Sequence, residues 1–176
     1  MRYIAAPWRE AYVRSVDVRK SCIFCRAARA SDDAKARVLF RGRQAFVLLN
    51  KYPYQPGHLM IAPCAHTADY ENAPRALTAE MDALLRRSLR VLQTAYAPHG
   101  FNTGMNLGRS AGAGVVGHFH VHVVPRWVGD SNFMPIVGGT RVVIEDLDAT
   151  WNRLRPLFAG CPRRKKSPSP SEVDHA

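Results

Sequence analysis

Between Leu77 and Tyr96 the apolar residues Leu77, Met81, Leu84, Leu85, Leu89, Leu92 and Tyr96 recur at helical spacing. That rhythm places them on one face of a helix and predicts one long amphipathic segment, closed by Pro98 and Gly100. Elsewhere the apolar residues come in shorter runs. RVLFRG and QAFVLLN flank Gly42 and Arg43 and predict a hairpin. NKYPYQPG is punctuated by Pro53, Pro56 and Gly57 and predicts a loop. HLMIAP then reads as a buried strand ending at Pro63, FNTGMNLG as a further strand, and FHVHVVP as a strand by its valines and its alternation. SAGAGVVG, between the last two, is a loop of small residues.

At the ends the pattern is weaker. PWREAYV, with Pro7 at a first helical position, predicts a short helix. The CxxC of Cys22 and Cys25 is expected in a turn and ASDDAK in a loop, and Glu145 to Phe158 predicts a final helix. Strands in hairpins with helices packed on one side define an α+β class: an antiparallel meander sheet with one long helix and shorter terminal helices. Residues 1–160 form one domain, and residues 161–176, ending SPSPSEVDHA, have the composition of a disordered basic Ser/Pro tail.

Composition narrows the setting. An apolar share of 47% and a charged share of 22% are those of an ordinary globular chain. No stretch approaches the roughly 20 apolar residues of a membrane helix. The N-terminal residues offer no apolar signal core, so a cytoplasmic location is expected. A close cysteine pair in a reducing compartment points to a metal or redox site rather than a structural disulfide. The net charge is +11, of which +2 lies in residues 161–176 and +9 in residues 1–160. A body that basic suits a polyanion, and nucleotide polyphosphate and nucleic acid both qualify.

The candidate chemistry lies in HFHVHVV. Alternation along a strand puts His118, His120 and His122 on one face and Phe119, Val121 and Val123 on the other. Three imidazoles on one face could hold a catalytic zinc with an open position. Alternatively, one imidazole could attack phosphorus while its neighbours orient it and neutralise the phosphate. SAGAGVVG favours the second reading, because small residues let backbone N–H groups approach phosphate oxygens. Arg109 stands beside it as a phosphate partner.

HFHVHVV resembles the signature of the histidine triad family, H-x-H-x-H followed by two apolar residues. The resemblance extends from about Trp8 to Trp127 and includes CIFC, LLNKYPYQPGHLMIAPCAH and GMNLGRSAGAGVVGHFHVHVVPRW in the family's order. It implies an α+β fold paired into a homodimer or higher oligomer through a shared sheet, and transfer or hydrolysis of nucleotidyl groups. By motif position it makes His120 the nucleophile on an α-phosphate and His122 the donor to a phosphate oxygen and the leaving group. Asn50 matches a ribose contact and His58 a histidine close to the active-site histidines. Asn106, Gly108, Ser110 and Gly114 are candidate phosphate contacts. Tyr52 and Tyr54 could border the base, and Trp127 and Phe133 could stack on a distal adenine.

The resemblance also implies a structural zinc held by Cys22, Cys25, His66 and His118, with no organic cofactor. Cys64 is a rival ligand by strand alternation and Cys161 is expected to be idle. Within the family the chain is most similar to bacterial diadenosine tetraphosphate phosphorylases. Hydrolytic members of the fragile histidine triad type carry a glutamine four residues before the first histidine; here that position is Gly114. The implied reaction is phosphorolysis, with a dinucleoside polyphosphate and inorganic phosphate as partners. Hydrolysis of dinucleoside polyphosphates or nucleoside phosphoramidates at the same site is the alternative. Binding or end-processing of nucleic acid is a second alternative; the basic residues form no aromatic-interleaved groove, which disfavours it.

Overall fold

The computed structural model describes residues 22–130 and 145–160. The expected N-terminal helix, Phe133 and the tail from Cys161 lie outside the described residues. Among the described residues four helices and five strands follow in the order α1 (Ile23–Arg29), α2 (Asp33–Ala36), β1 (Val38–Arg41), β2 (Ala45–Leu49), β3 (Leu59–Pro63), α3 (Arg75–Tyr96), β4 (Gly100–Met105), β5 (Val121–Arg126) and α4 (Leu147–Gly160). The strands form one antiparallel sheet ordered β1-β2-β3-β5-β4. The fold is the α+β class that the patterning implies.

Both faces of the sheet are covered. Leu39, Val47, Leu49, Leu59, Ile61 and Val123 pack with Phe119 against Leu77, Met81, Leu84, Val91 and Leu92 of α3 and Leu154 and Phe158 of α4. On the other face Val38, Phe46, Leu48, Met60 and Ala62 pack against Phe24 and Ala27 of α1. Helices on one side were expected, and α1 corrects that. The CxxC does not sit in a turn either: Cys22 is the N-cap of α1 and Cys25 lies in its first turn. ASDDAK holds the single turn α2, because the Asp32 carboxylate accepts from the N–H groups of Ala34 and Lys35, at 3.0 and 3.1 Å.

Two glycines are required where the chain turns. Gly57 has φ +76°, and a Cβ there would press on Leu92 and Tyr96 at 3.0 Å, so the loop before His58 lies flat on α3. At the β1–β2 hairpin the Glu80 carboxylate of α3 accepts from the N–H groups of Arg43 and Gln44, and a Cβ on Gly42 would collide with it. The long helix ends at Ala97, which takes a left-handed conformation (φ 44°) and donates to the Gln93 carbonyl, while Gly100 already opens β4.

Many of the basic residues are engaged internally. Arg37 pairs with Asp148, Arg41 and Arg155 with Asp33, Arg126 with Asp130, and Arg153 with Glu145. Among the described residues no helix is long and apolar enough to cross a membrane.

Candidate active site and metal centre

The assigned strand β5 begins at Val121, yet the alternation extends back through the triad. His118 and His120 precede the ladder, where Phe119 N–H donates instead to the Thr67 carbonyl at 2.9 Å. Phe119, Val121 and Val123 point into the α3 core. His122 stands opposite Met60 of β3 and Gly104 of β4, on the α1 side. The three imidazoles therefore share the face that the sequence assigns them, but not one environment. His118 is fully buried, His120 is 5% exposed and His122 is half-buried.

His120 has one defined tautomer. Its Nδ1 lies 3.0 Å from the His118 carbonyl, which can only accept, so Nδ1 bears the proton and Nε2 presents a lone pair. Burial pushes the pKa of His120 below the ordinary imidazole value, with the His118 carbonyl opposing. A buried, neutral imidazole with a bare Nε2 has the electronic form that nucleophilic attack requires.

His122 is oriented from the loop before β3. Tyr54 N–H donates to His58 Nδ1 at 3.0 Å, and Asn50 Nδ2 approaches the same nitrogen at 3.3 Å. The proton of His58 is thereby placed on Nε2, which donates to His122 Nδ1 at 3.0 Å. His122 then carries its own proton on Nε2. Asn50 also makes a turn: its Oδ1 accepts from Tyr52 N–H at 3.0 Å. The His120 and His122 rings are 4.8 Å apart, edge to face.

Beside His122 opens a cavity of about 500 Å³, lined by Tyr54, Gln55, Asn102, Gly104, Asn106 and Arg126 among others. Gly104, directly across from His122, leaves its floor open. Asn106, read from the sequence as a candidate phosphate contact, lines this cavity. Gly108, with φ +82°, and Ser110 lie exposed on the loop between β4 and β5, and Gly114 is half-buried there; none of them lines the cavity. Trp127 packs edge-on against Tyr96, with ring centroids 6.5 Å apart, rather than lining the cavity. Tyr54 lies 4.6 Å from His58 and 6.0 Å from His122, ring to ring, a closer involvement than its loop position suggests.

The second cluster lies behind His118. Its Nε2 donates to the Pro63 carbonyl at 2.9 Å, which leaves Nδ1 unprotonated and facing Cys22 Sγ at 3.4 Å and Cys25 Sγ at 3.7 Å. His66 Nδ1 is 3.2 Å from Cys25 Sγ, and Gly117 gives its ring room, since a Cβ there would come 3.2 Å from His66 Nε2. Four ligand atoms, two sulfur and two nitrogen, lie within 4.8 Å of one another. Zinc–sulfur and zinc–nitrogen bonds of about 2.3 and 2.0 Å would put tetrahedral ligands roughly 3.3–3.8 Å apart, so the residues fit such an ion. Burial and then the neighbouring Cys22 push the Cys25 thiol up, a cost that a bound cation would reverse. Cys64 is exposed and is not part of this group, which corrects its standing as a rival ligand.

Sequence reasoning missed Phe24, whose ring lies against both His118 and His120. The signal was its place inside the CxxC. It also missed Arg126 and Asn102, joined by a 2.7 Å hydrogen bond at the cavity wall; their strand positions alone carry no such sign.

The chain has counterparts among known proteins. The HIT domain model matches residues 31–128, and the chain belongs to that family. It is 42% identical over 130 residues to a protein of Mycobacterium tuberculosis named AP-4-A phosphorylase, covering 74% of this chain and 67% of the relative. Among solved structures, a zinc-bound histidine triad family protein from Mycobacterium smegmatis superposes with a TM-score of 0.64 at 27% identity, over 79% of this chain and 94% of the other. A histidine triad nucleotide-binding protein from Sulfolobus tokodaii, at 24% identity and a TM-score of 0.60 over 78% of this chain and 92% of the other, shares the fold.

Proposed function

We propose that the chain transfers a nucleotidyl group through His120 and that its preferred reaction is phosphorolysis of diadenosine tetraphosphate to ADP and ATP. The observation that carries the reading is the 3.0 Å bond from His120 Nδ1–H to the His118 carbonyl, which exposes the Nε2 lone pair next to His122. In the first displacement Nε2 attacks an α-phosphorus, the bridging P–O bond breaks and ATP departs, leaving adenylyl-His120. His122 Nε2–H stabilises the oxygen on which charge develops. In the second, an oxygen of inorganic phosphate attacks the same phosphorus, the P–N bond breaks, and ADP leaves with His120 restored.

The name of the M. tuberculosis relative supports the substrate and the acceptor. Gly114 supports the acceptor by motif position alone: it stands where hydrolytic members of the fragile histidine triad type carry a glutamine. Cys22, Cys25, His66 and His118 would hold a zinc ion, which when bound ties α1 to the triad segment as a structural cross-link. The edge strand β4 is the expected place for pairing with a second copy of the chain. Cytoplasmic location remains part of the same reading.

Product analysis tests it. Diadenosine tetraphosphate is incubated with the protein with and without inorganic phosphate, beside a His120→Ala control. ADP and ATP formed only with phosphate, and only by the unsubstituted protein, is the expected result. AMP and ATP regardless of phosphate would make water the acceptor and overturn the phosphorylase assignment.

A further inference from the structure

Phe24, between the two cysteines, is fully buried, and its ring centroid lies 4.6 Å from that of His120 and 5.1 Å from that of His118, tilted 40° and 52°. The short helix that carries it is fastened at both ends. At its C-terminal end Arg41 Nη1 donates to the Ala28 carbonyl at 2.7 Å, and Nη2 to the carbonyls of Ala27 and Ala30 at 2.9 Å. Arg41 Nε donates to Asp33 at 2.8 Å. At its N-terminal end are the thiols of Cys22 and Cys25, which face His118 Nδ1.

One hydrogen bond to the His118 carbonyl leaves the His120 ring able to swing about its own side-chain torsions. A packed wall removes that freedom, and a nucleophile held within a fraction of an ångström is worth far more than one that wanders. His118 contributes both the nitrogen facing the thiols and the carbonyl that receives the His120 proton. Drawing Cys22 and Cys25 onto His66 and His118 therefore fixes both of the surfaces that confine the His120 ring.

We propose that Phe24 is a positioning residue for the nucleophile, and that metal occupancy of the Cys22–Cys25–His66–His118 centre acts on His120 through it. The inference rests on the reading of His120 as the nucleophile. The metal centre then does more than stabilise the fold: loading it selects the reactive tautomer and orientation of a side chain that does not touch the ion.

The test uses the full-length protein in its zinc-loaded form, stripped with a chelator, and reloaded with zinc alone. Nitrogen NMR of isotope-labelled histidines reports the tautomer of His120, assigned by the signal that His120→Ala removes, and turnover is followed alongside. The zinc-loaded protein is expected to hold His120 as the single Nδ1–H tautomer. Stripping zinc, or Phe24→Ala, should give mixed tautomers, with kcat lowered about 10–100-fold and KM changed by less than about 3-fold. Phe24→Leu keeps most of the volume and should fall between. A His120 signal unchanged by zinc removal and by Phe24→Leu would overturn the proposal, and that pair suffices if Phe24→Ala does not fold. Full turnover by His120→Ala would instead defeat the nucleophile assignment itself. Loss of turnover in His120→Ala, with the Phe24 variants unaltered, defeats only the positioning role.

Discussion

The main-chain oxygen of His118 accepts the Nδ1 proton of His120 at 3.0 Å, while the side chain of His118 turns its own Nδ1 toward the Cys22 and Cys25 thiols. One residue thereby belongs to two sites. Its carbonyl sets the protonation of His120 and its ring belongs to the Cys2His2 cluster. Adjacent alternating positions on one chain segment make this arrangement possible, since His118 and His120 share a face.

The pH dependence follows from burial. Imidazolium is penalised in the interior, so His120 stays neutral to lower pH than an ordinary imidazole of about 6.5. The acid limb of kcat/KM is expected below that value, and a limb at or above it would contradict the assignment. Stability should follow the same group: the unfolded chain binds the proton more readily than the folded one. The contribution is therefore present above about pH 6.5 and is lost as pH falls through the depressed folded value.

Removing a ligand should empty the metal centre. The unsubstituted protein is expected to retain one equivalent of zinc through dialysis, as elemental analysis would read it, and Cys25→Ser and His66→Ala are each expected to lose it and to lower the unfolding temperature. Cys64→Ser should leave the zinc content unchanged, because Cys64 stands outside the cluster. Zinc loss in Cys64→Ser with retention in Cys25→Ser would reverse the ligand assignment.

Arg41 lies away from the cavity yet bonds three carbonyls at the end of α1. Arg41→Ala should reduce the free energy of unfolding by about 2–3 kcal/mol, because charged donors are lost to partly buried acceptors. Arg41→Lys should recover only part, since an ammonium cannot span the same fork of acceptors. Denaturant titration measures both, and an unchanged midpoint for Arg41→Ala would show that the helix end is held some other way.

Gly114 is expected to govern the acceptor. Gly114→Gln restores the glutamine that hydrolytic relatives are expected to carry four residues before the first histidine and should shift products from ADP toward AMP at fixed phosphate. An unchanged ADP to AMP ratio would remove Gly114 from the phosphate site.

Much of this architecture was legible from pattern. The α3 stripe appears as read, with Leu77, Met81, Leu84 and Leu92 buried, and the two-residue alternation at His118–His122 gave the correct facing. The hairpin around Gly42 and the strand ending at Pro63 also stand where the runs put them. What escaped depends on contacts distant in sequence. Helix α1 is too short for periodicity to reveal, and it forms because Arg41, well downstream, binds its exposed carbonyls. That Phe24 meets His120 across nearly a hundred residues is likewise a product of packing on the second face of the sheet. The His58 tautomer depends on a backbone N–H of Tyr54, and no side-chain pattern records a main-chain donor.

Under the proposed function His120 carries the nucleotidyl group and phosphate receives it. Turnover of diadenosine tetraphosphate in heavy-oxygen-labelled inorganic phosphate, with the products separated and weighed by mass spectrometry, tests it most directly. Label in the terminal phosphoryl group of ADP and in the oxygen that bridges it to the α-phosphorus, with unlabelled ATP and no product from His120→Ala, is the expected result. Unlabelled AMP as the partner of ATP, or full activity in His120→Ala, would contradict it.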